Sequence, residues 1–554
     1  MDWDHEYDLV VVGTGGGALT AALTASWRGL KTLVVEKTST WGGTTAYSGG
    51  GVWIPANPLM IHDGVDDSLD DALRYLEDIV GNVGPASSAE RRRALLHGGP
   101  EMIAFLSGMG VRWQRVVRYP DYYPERPGGS SGRQLEPAII DGRRLGPWLD
   151  TLRRPAQQPP FVVQVDDVGD LVTSFRTLRG FSRGLRVVAR SAAWKLSKGV
   201  PLTSGASLVG QLMEACQRRG VTVWLDTPFE ELVAEGSEVT GAVVRHDGRK
   251  LRVKANAGVV LGAGGFSRNS EFRQRYQPVT GEYSGTGEGD TGDAIQAGMA
   301  VGAATALMDD AWWVAAFKYP GGGVTSCLWE RSLPGAIVVD EAGQRFVNES
   351  IPYTDFGHAQ LEHNAVPAWL LMDARHRQRY IFRTIYGILP PRVTPKPLKD
   401  GFFLQAPSIR ELAEKAGIDA DGLAATVTRF NGFAASGVDA DFGRGKSAYD
   451  NFYGDPRVKP NPNLAPIENA PFWAARLWPG DIGTKGGLLT DEHGRVVDES
   501  GDPIDGLYAV GNTTASVMGR TYAGPGATIG PAMIFAYHAA KHAAGRQVKD
   551  RVHA

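Results

Sequence analysis

Residues Asp8 to Glu36 constrain this chain more than any other stretch. Leu9-Val10-Val11-Val12 is an apolar, largely β-branched run, the composition of a buried strand. It breaks at Gly13-Thr14-Gly15-Gly16-Gly17-Ala18 and continues into Leu19 to Arg28, which reads as a helix. A second apolar run, Thr32 to Val35, ends in Glu36. The whole is a βαβ unit carrying a G-x-G-x-x-A dinucleotide fingerprint. Gly13 permits the tight turn, Gly15 lets backbone approach a pyrophosphate, and Ala18 is small enough for close helix–strand packing. Gly16 and Gly17 begin the helix, whose free N–H groups and positive dipole end face the phosphates. Glu36 follows the fingerprint at about 20 residues, where an acid accepts the ribose hydroxyls. The fingerprint alone is weak; strand, helix, strand and acid in register make it strong.

The stretch after Glu36 separates a flavin from a nicotinamide. Beyond Lys37 the chain enters Gly42-Gly43-Thr44-Thr45 and then Ser48-Gly49-Gly50, where a nicotinamide fold usually starts another helix. This glycine- and hydroxyl-rich loop can run beside an extended cofactor and hydrogen-bond its ribityl chain and ring. Farther on, an apolar strand over Ala257–Leu261 ends in Gly262-Ala263-Gly264-Gly265, a second point of backbone approach. Asp290-Thr291-Gly292-Asp293 starts a helix through Ala300, which adds Asp293 to the candidate cofactor contacts. Gly506 to Asn512 reads as a strand rejoining the first sheet, with Gly511 and Asn512 at its end. A helix after Gly530, through about Gly545, closes that unit.

At 554 residues two domains are expected. The predicted class is α/β: a discontinuous, Rossmann-like FAD domain of the two-dinucleotide-binding type, residues 1–310 and 483–554, around an inserted α+β catalytic domain, residues 311–482. A formal net charge of −3 makes no electrostatic case for nucleic acid. Two cysteines, Cys216 and Cys327, give no disulfide framework and point to a reducing cytoplasm. The first strand begins so early that no signal peptide is expected. No apolar run approaches the ~18–20 residues of a membrane span. The histidines lack metal-ligand spacing, and no metal is expected. Within a helix predicted over Ala89–Gly108, Arg91-Arg92-Arg93 reads as a solvated face. Residues 147–160, rich in Pro and Gln, read as a surface excursion. Arg183 to Lys198 mixes cations with Leu, Val, Ala and Trp. It reads first as an ordinary packed amphipathic helix and second as a segment making weak peripheral contact with a membrane.

Three tyrosines carry the candidate chemistry. Tyr122 sits in the aromatic turn Tyr119-Pro120-Asp121-Tyr122-Tyr123-Pro124, and Tyr353 ends Asn348-Glu349-Ser350-Ile351-Pro352-Tyr353. Tyr522 heads Tyr522-Ala523-Gly524-Pro525-Gly526, whose N–H groups can bind a carbonyl oxygen beside the phenol, an oxyanion-hole arrangement. Trp53, Trp312 and Trp313 are candidates either for an apolar pocket wall or for the core. No G-x-S-x-G elbow or P-loop occurs.

At these residues the sequence resembles the 3-ketosteroid Δ1-dehydrogenase (3-oxosteroid 1-dehydrogenase) family, flavoenzymes related to the fumarate reductase flavoprotein fold. The resemblance spans nearly the whole chain. It is carried by Gly13–Ala18, Glu36-Lys37, Gly42–Gly51 with Val52-Trp53-Ile54-Pro55, Asp121-Tyr122-Tyr123, Asn348–Tyr353, Gly483-Thr484-Lys485-Gly486-Gly487 and Gly519–Gly526. Ala523 replaces the family's usual proline. The resemblance implies FAD as cofactor, a steroid substrate and an external electron acceptor. It implies that Tyr522 and the Gly526 N–H polarise the C3 carbonyl and that Tyr353, assisted by Tyr122, removes the C2 proton. The C1 hydride then goes to FAD N5. A Δ4-(5α) ketosteroid dehydrogenase or a fumarate reductase-like enzyme is the alternative. A fumarate site needs cationic clamps for two carboxylates, whereas phenols beside a Gly-Pro-Gly turn suit one neutral ketone.

Overall fold

The computed structural model describes residues 2–154, 161–384, 387–399 and 401–553, with side chains left out at Pro397 and beyond Arg546. Part of the excursion predicted at 147–160, residues 155–160, lies outside the described residues.

His5–Val12 is the middle strand of the first sheet. It pairs in parallel with Thr32–Val35 on one side and Arg249–Leu261 on the other. Thr222–Trp224 extends the sheet beyond Thr32–Val35, and Pro503–Ala509 extends it beyond Arg249–Leu261, both in parallel. Arg495–Val497 closes that edge antiparallel. The return of Pro503–Ala509 beside Arg249–Leu261 brings the end of the chain back to the sheet that its start began. Phe229–Glu235 and Glu238–His246 form a hairpin; the latter also pairs with the outer half of the long Arg249–Leu261 strand.

Gly16–Trp27, the fingerprint helix, is buried along most of its length between the sheet, Ser204–Arg218 and Ile529–His553. Its buried threonines bond back to the turn before, Thr20 to the Gly16 carbonyl at 2.7 Å and Thr24 to the Thr20 carbonyl at 2.8 Å.

The second sheet is antiparallel, in the order Val324–Ser326, Ala311–Lys318, Phe472–Thr484, Ala368–Met372 and Ala336–Val339, with Leu404–Ala406 also paired to Phe472–Thr484. Period-two alternation splits its side chains between two cores. Ile337, Val339, Trp369 and Leu371 pack beneath Ile409–Ala416 and Ala420–Ser436. Val338, Leu370 and Phe317 meet Phe356, Phe382 and Phe402 on the other face. Gly417 closes Ile409–Ala416 in the left-handed region at φ +75°.

Two expectations need correction. Arg91 and Arg92 are buried, not solvated. Helix Ala89–Gly108 packs on Ile529–His553; Arg91 donates to the carbonyls of buried Ala86 and Ala515, and Arg92 to the Gly81 carbonyl at the end of the preceding helix. The cationic segment near 190 is a helix, Leu178–Leu196, but its apolar stripe is not packed: Leu178, Phe181, Leu185, Val188 and Leu196 are all exposed. Among the described residues no helix is long and apolar enough to cross a membrane.

Candidate active site

A single cavity of about 1550 Å³ runs from Glu36 to the three tyrosines. A drug-sized ligand fills ~300–1,000 Å³, so this space is large enough for an extended cofactor and a second molecule together.

Its first half is built of backbone. Gly13, at φ +99°, turns so close to the neighbouring strand that a Cβ there would lie 2.5 Å from the Gly262 carbonyl oxygen. Gly15, Gly16, Gly17 and Ala18 carry the lining onto the helix N-terminus, where the Gly16 N–H donates to the Thr45 hydroxyl at 3.1 Å. Glu36 is buried and its carboxylate is held by the Thr14 hydroxyl at 2.6 Å and by the Thr38 N–H and hydroxyl at 3.1 and 3.0 Å. Lys37 pairs with Asp293 at 2.7 Å across the groove. Gly43, Thr44, Thr45, Ser48, Gly49 and Gly50 follow along the wall, then Ala263, Gly264, Gly511 and Asn512. Gly50 packs at φ +69° against the Ser204–Gly205 backbone with no room for a side chain. The residues fit FAD: a free helix N-terminus for the pyrophosphate, a fixed acid for the ribose, and close-approach glycines between them. Gly42 and Gly265 do not reach the cavity. Gly42 donates to the Thr14 hydroxyl at 2.9 Å and Gly265 to Asp290 at 2.5 Å, each serving the shape of a neighbouring turn.

The second half is built of side chains from three distant segments. Tyr122, Tyr353 and Tyr522 form a closed triangle, with ring centroids 5.5 Å apart for Tyr122–Tyr353, 5.3 Å for Tyr353–Tyr522 and 4.9 Å for Tyr122–Tyr522, all edge-to-face. All three phenols line the same cavity. The Tyr522 oxygen lies 3.3 Å from the Thr528 hydroxyl. Gly526 takes φ +93°, where a Cβ would lie 2.7 Å from the Gly51 backbone, so only glycine fits.

Contacts outside the cavity hold this triangle. Trp53 donates its backbone N–H to the Gly526 carbonyl at 3.2 Å and its indole N–H to Asp121 at 2.8 Å, tying the Gly-Pro-Gly turn to the residue before Tyr122. Asp121 is further held by Arg133 at 2.7 Å. The Tyr122 N–H donates to the Ala523 carbonyl at 3.1 Å, and the Tyr75 hydroxyl donates to the same oxygen at 2.6 Å. Tyr353 is the first residue of helix Tyr353–Glu362, and the Tyr123 hydroxyl reaches Asp355 on that helix at 2.8 Å. Asn348, Glu349 and Ser350 contribute nothing to the cavity wall. Asn348 donates to Asp450 at 2.9 Å and Glu349 pairs with Arg345 at 2.7 Å and Arg444 at 3.1 Å, a buried anchor beneath Tyr353. Lys485, also buried, donates to the Thr521 carbonyl at 2.9 Å and sits over the Trp312 ring; burial pushes its pKa down to about 8.

Burial is the dominant influence on each phenol and pushes all three above the ordinary tyrosine range. Neighbouring groups oppose it at two of the three phenols. The hydroxyl of Tyr122 favours an anion on Tyr353, and the Thr528 hydroxyl, Tyr353 and the Gly526 N–H favour an anion at the Tyr522 oxygen. Negative charge is therefore easiest to hold near Tyr522, beside the turn. Among groups the sequence did not single out, Thr528 and the pair Tyr119–Tyr453, with oxygens 2.8 Å apart, line the same end, along with Val314, Trp329 and Ile482. Tyr119 shares the aromatic turn of Tyr122 and was available to notice; Tyr453 carries no local signal. Trp53, Trp312 and Trp313 are core residues, with indole N–H groups committed to Asp121, Asn512 and Asp310.

Known proteins are similar to this chain end to end. The FAD binding domain family matches residues 8–529. The chain is 44% identical to the 3-oxosteroid 1-dehydrogenase of Mycolicibacterium smegmatis over 99% of each chain. It is 36% identical to that of Comamonas testosteroni, covering 98% of this chain and 97% of the relative. The crystal structure of 3-ketosteroid delta1-dehydrogenase from Sterolibacterium denitrificans in complex with 1,4-androstadiene-3,17-dione matches with a TM-score of 0.92 and 40% identity, covering 98% of this chain and 100% of that one.

Proposed function

The chain belongs to the 3-oxosteroid 1-dehydrogenases, FAD-dependent enzymes of the FAD binding domain family, and on that premise we propose that it converts a 4-en-3-one steroid to the 1,4-dien-3-one. The observation that carries this reading is the phenol triangle with Gly526 at the end of a cavity that also contains the cofactor cradle.

The Tyr522 hydroxyl and the Gly526 N–H receive the C3 carbonyl oxygen, and their polarisation acidifies the hydrogens on C2. Tyr353 takes the C2 proton. It does so as the phenolate, its own proton having first passed to solvent; burial opposes that ionisation and the neighbouring Tyr122 hydroxyl favours it. FAD, when bound, supplies the two-electron oxidant that takes the C1 hydrogen with its electron pair. The steroid thus loses one proton and one hydride and gains the C1–C2 double bond, and repeated turnover needs an external electron acceptor. Gly13, Gly15–Ala18, Glu36, Gly43–Thr45, Ser48–Gly50, Ala263, Gly264, Gly511 and Asn512 hold the cofactor in this reading, with Lys37 and Asp293 bridging its groove. The same reading divides the chain into FAD-binding residues 1–310 and 483–554 around catalytic residues 311–482. The separate sheets support that division, although Phe472–Thr484 runs just past its boundary.

The test is anaerobic. Purified yellow protein is mixed with a 4-en-3-one steroid, a 5α-3-ketosteroid or succinate, and products are identified by mass and NMR. Rapid bleaching by the 4-en-3-one with a 1,4-dien-3-one product is expected. Bleaching only by the 5α-steroid with a Δ4 product, or only by succinate, would transfer the assignment to a Δ4-(5α) or a fumarate-type enzyme.

A further inference from the structure

Helix Leu178–Leu196 is amphipathic in an inverted sense. At ~100° per residue, Leu178, Phe181, Leu185, Val188, Ala192 and Leu196 fall on one narrow stripe. All are exposed, Leu178 and Leu196 at 90% and 84%. The opposite face is the one that packs. Val187 is buried there, Arg183 reaches Asp166, Asp167 and Asp170 at 3.2 to 3.3 Å, and Arg190 pairs with Asp167. An ordinary surface helix buries its apolar side; this one buries its ion pairs and shows its hydrocarbon. Phe175, just before the helix, adds to the exposed surface.

Charge accompanies the stripe. Between Leu171 and Val200 the sequence carries Arg176, Arg179, Arg183, Arg186, Arg190, Lys195 and Lys198, with no Asp or Glu, in a chain whose net charge is −3. Arg176 and Arg179 find Asp455 and Asp170. Arg186, Lys195 and Lys198 have no acidic partner among the described residues, and they flank the stripe. Exposed Val188, Ala192 and Lys195 also line the large cavity, as does exposed Phe161, so the cavity reaches the surface at this helix.

We infer that helix Leu178–Leu196 lies in the interface of an anionic phospholipid membrane, with Leu178, Phe181, Leu185, Val188 and Leu196 inserted among the acyl chains and Arg186, Lys195 and Lys198 on the phosphates, so that the cavity opens toward the lipid. A convex apolar stripe beside unpaired cations matches a lipid surface, where the hydrocarbon and the charge are both satisfied at once. The part concerning substrate access rests on the steroid reading above: a sparingly soluble steroid partitions into lipid and would reach the cavity without crossing water. The docking itself does not rest on that reading.

FAD-loaded protein is floated with vesicles of phosphatidylcholine alone or with added phosphatidylglycerol, and bound protein is read by flavin absorbance, without steroid. Binding to the anionic vesicles is expected, weakening as salt rises and the screening length shortens toward ~3 Å. Leu178→Gln/Phe181→Gln/Leu185→Gln should lower partitioning by about a hundredfold or more. Arg186→Gln/Lys198→Gln should lower it by about 25-fold, from ~1 kcal/mol per cation. Neither set lines the cavity, so both should keep flavin and turn over cyclodextrin-dispersed steroid normally, while KM rises only for steroid delivered in vesicles. Absence of binding to anionic vesicles overturns the proposal. So does a dimer that the triple apolar variant dissociates, which would make the stripe a contact between copies. Equal binding to both vesicle types, indifferent to salt, removes the role of the cations. If flotation succeeds while no steroid is turned over, the steroid reading fails and the docking stands.

Discussion

The Glu36 end of the cavity is walled by backbone, whereas the Tyr522 end is walled by aromatic side chains. The first depends on conformations that only glycine adopts comfortably, as at Gly13 and Gly50, and on one carboxylate locked by two threonines. The second depends on hydroxyl groups delivered by a turn, a helix start and a second turn that are far apart in sequence. A wall of backbone holds a ligand but has no proton to give or take at neutral pH. A wall of phenols has protons to move and little means of holding a pyrophosphate. Substitutions at the first end should therefore change retention of the cofactor, and substitutions at the second should change the chemistry.

Tyr353→Phe is the sharpest test of that division. It should lower kcat by ~10⁴ while the bound-flavin spectrum stays unchanged; near-normal turnover would remove Tyr353 as the base. Tyr522→Phe should cost on the order of 10²–10³ in kcat, and a much smaller loss would transfer the polarising role to the Gly526 N–H. Glu36→Gln belongs to the other end. Losing a charged hydrogen-bond acceptor should weaken FAD binding by about 10- to 100-fold, with kcat restored at saturating FAD. A drop in kcat under those conditions would break the comparison.

Tyr122→Phe should slow turnover by roughly tenfold, and its clearer signature is in pH. Burial raises the Tyr353 phenol above the usual range, so the anionic fraction grows as pH rises and activity should climb toward alkaline pH. The Tyr122 hydroxyl beside it pulls that value down; without it the rising limb should move to still higher pH. An unshifted profile would show that the two phenols are not coupled. The smallest effect expected is from Trp53→Phe, about a fewfold in kcat, because it removes a single hydrogen bond to Asp121 from behind the site.

Legibility in the sequence divides along the same contrast. The cofactor cradle reads out of the sequence because its requirements are local: a turn, a helix start and an acid in one contiguous stretch, with later strand ends marked by glycine. Tyr122, Tyr353 and Tyr522 were legible as members of short motifs, but their triangle is a property of packing. Thr528 and Tyr453 were not visible, since nothing beside them in sequence distinguishes a lining hydroxyl from a surface one. Arg91 and Arg92 misled for a related reason. Charge normally marks solvent, yet their helix packs against Ile529–His553 and leaves carbonyls that only a long donor can reach. The Leu178–Leu196 pattern was readable as amphipathic, and periodicity alone does not say which side faces in.

Trp53 supplies no atom to the cavity, yet it grips both the Gly526 carbonyl and Asp121 beside Tyr122. The spacing between the Gly526 turn and the turn that carries Tyr122 is thereby gauged by one rigid indole, as a jig sets the gap between two tools. A steroid that fits poorly cannot widen that gap to suit itself. Tolerance for ring substituents should therefore be found at the Val314, Trp329 and Ile482 walls, and discrimination for the position of the ketone should stay fixed when those walls are recut.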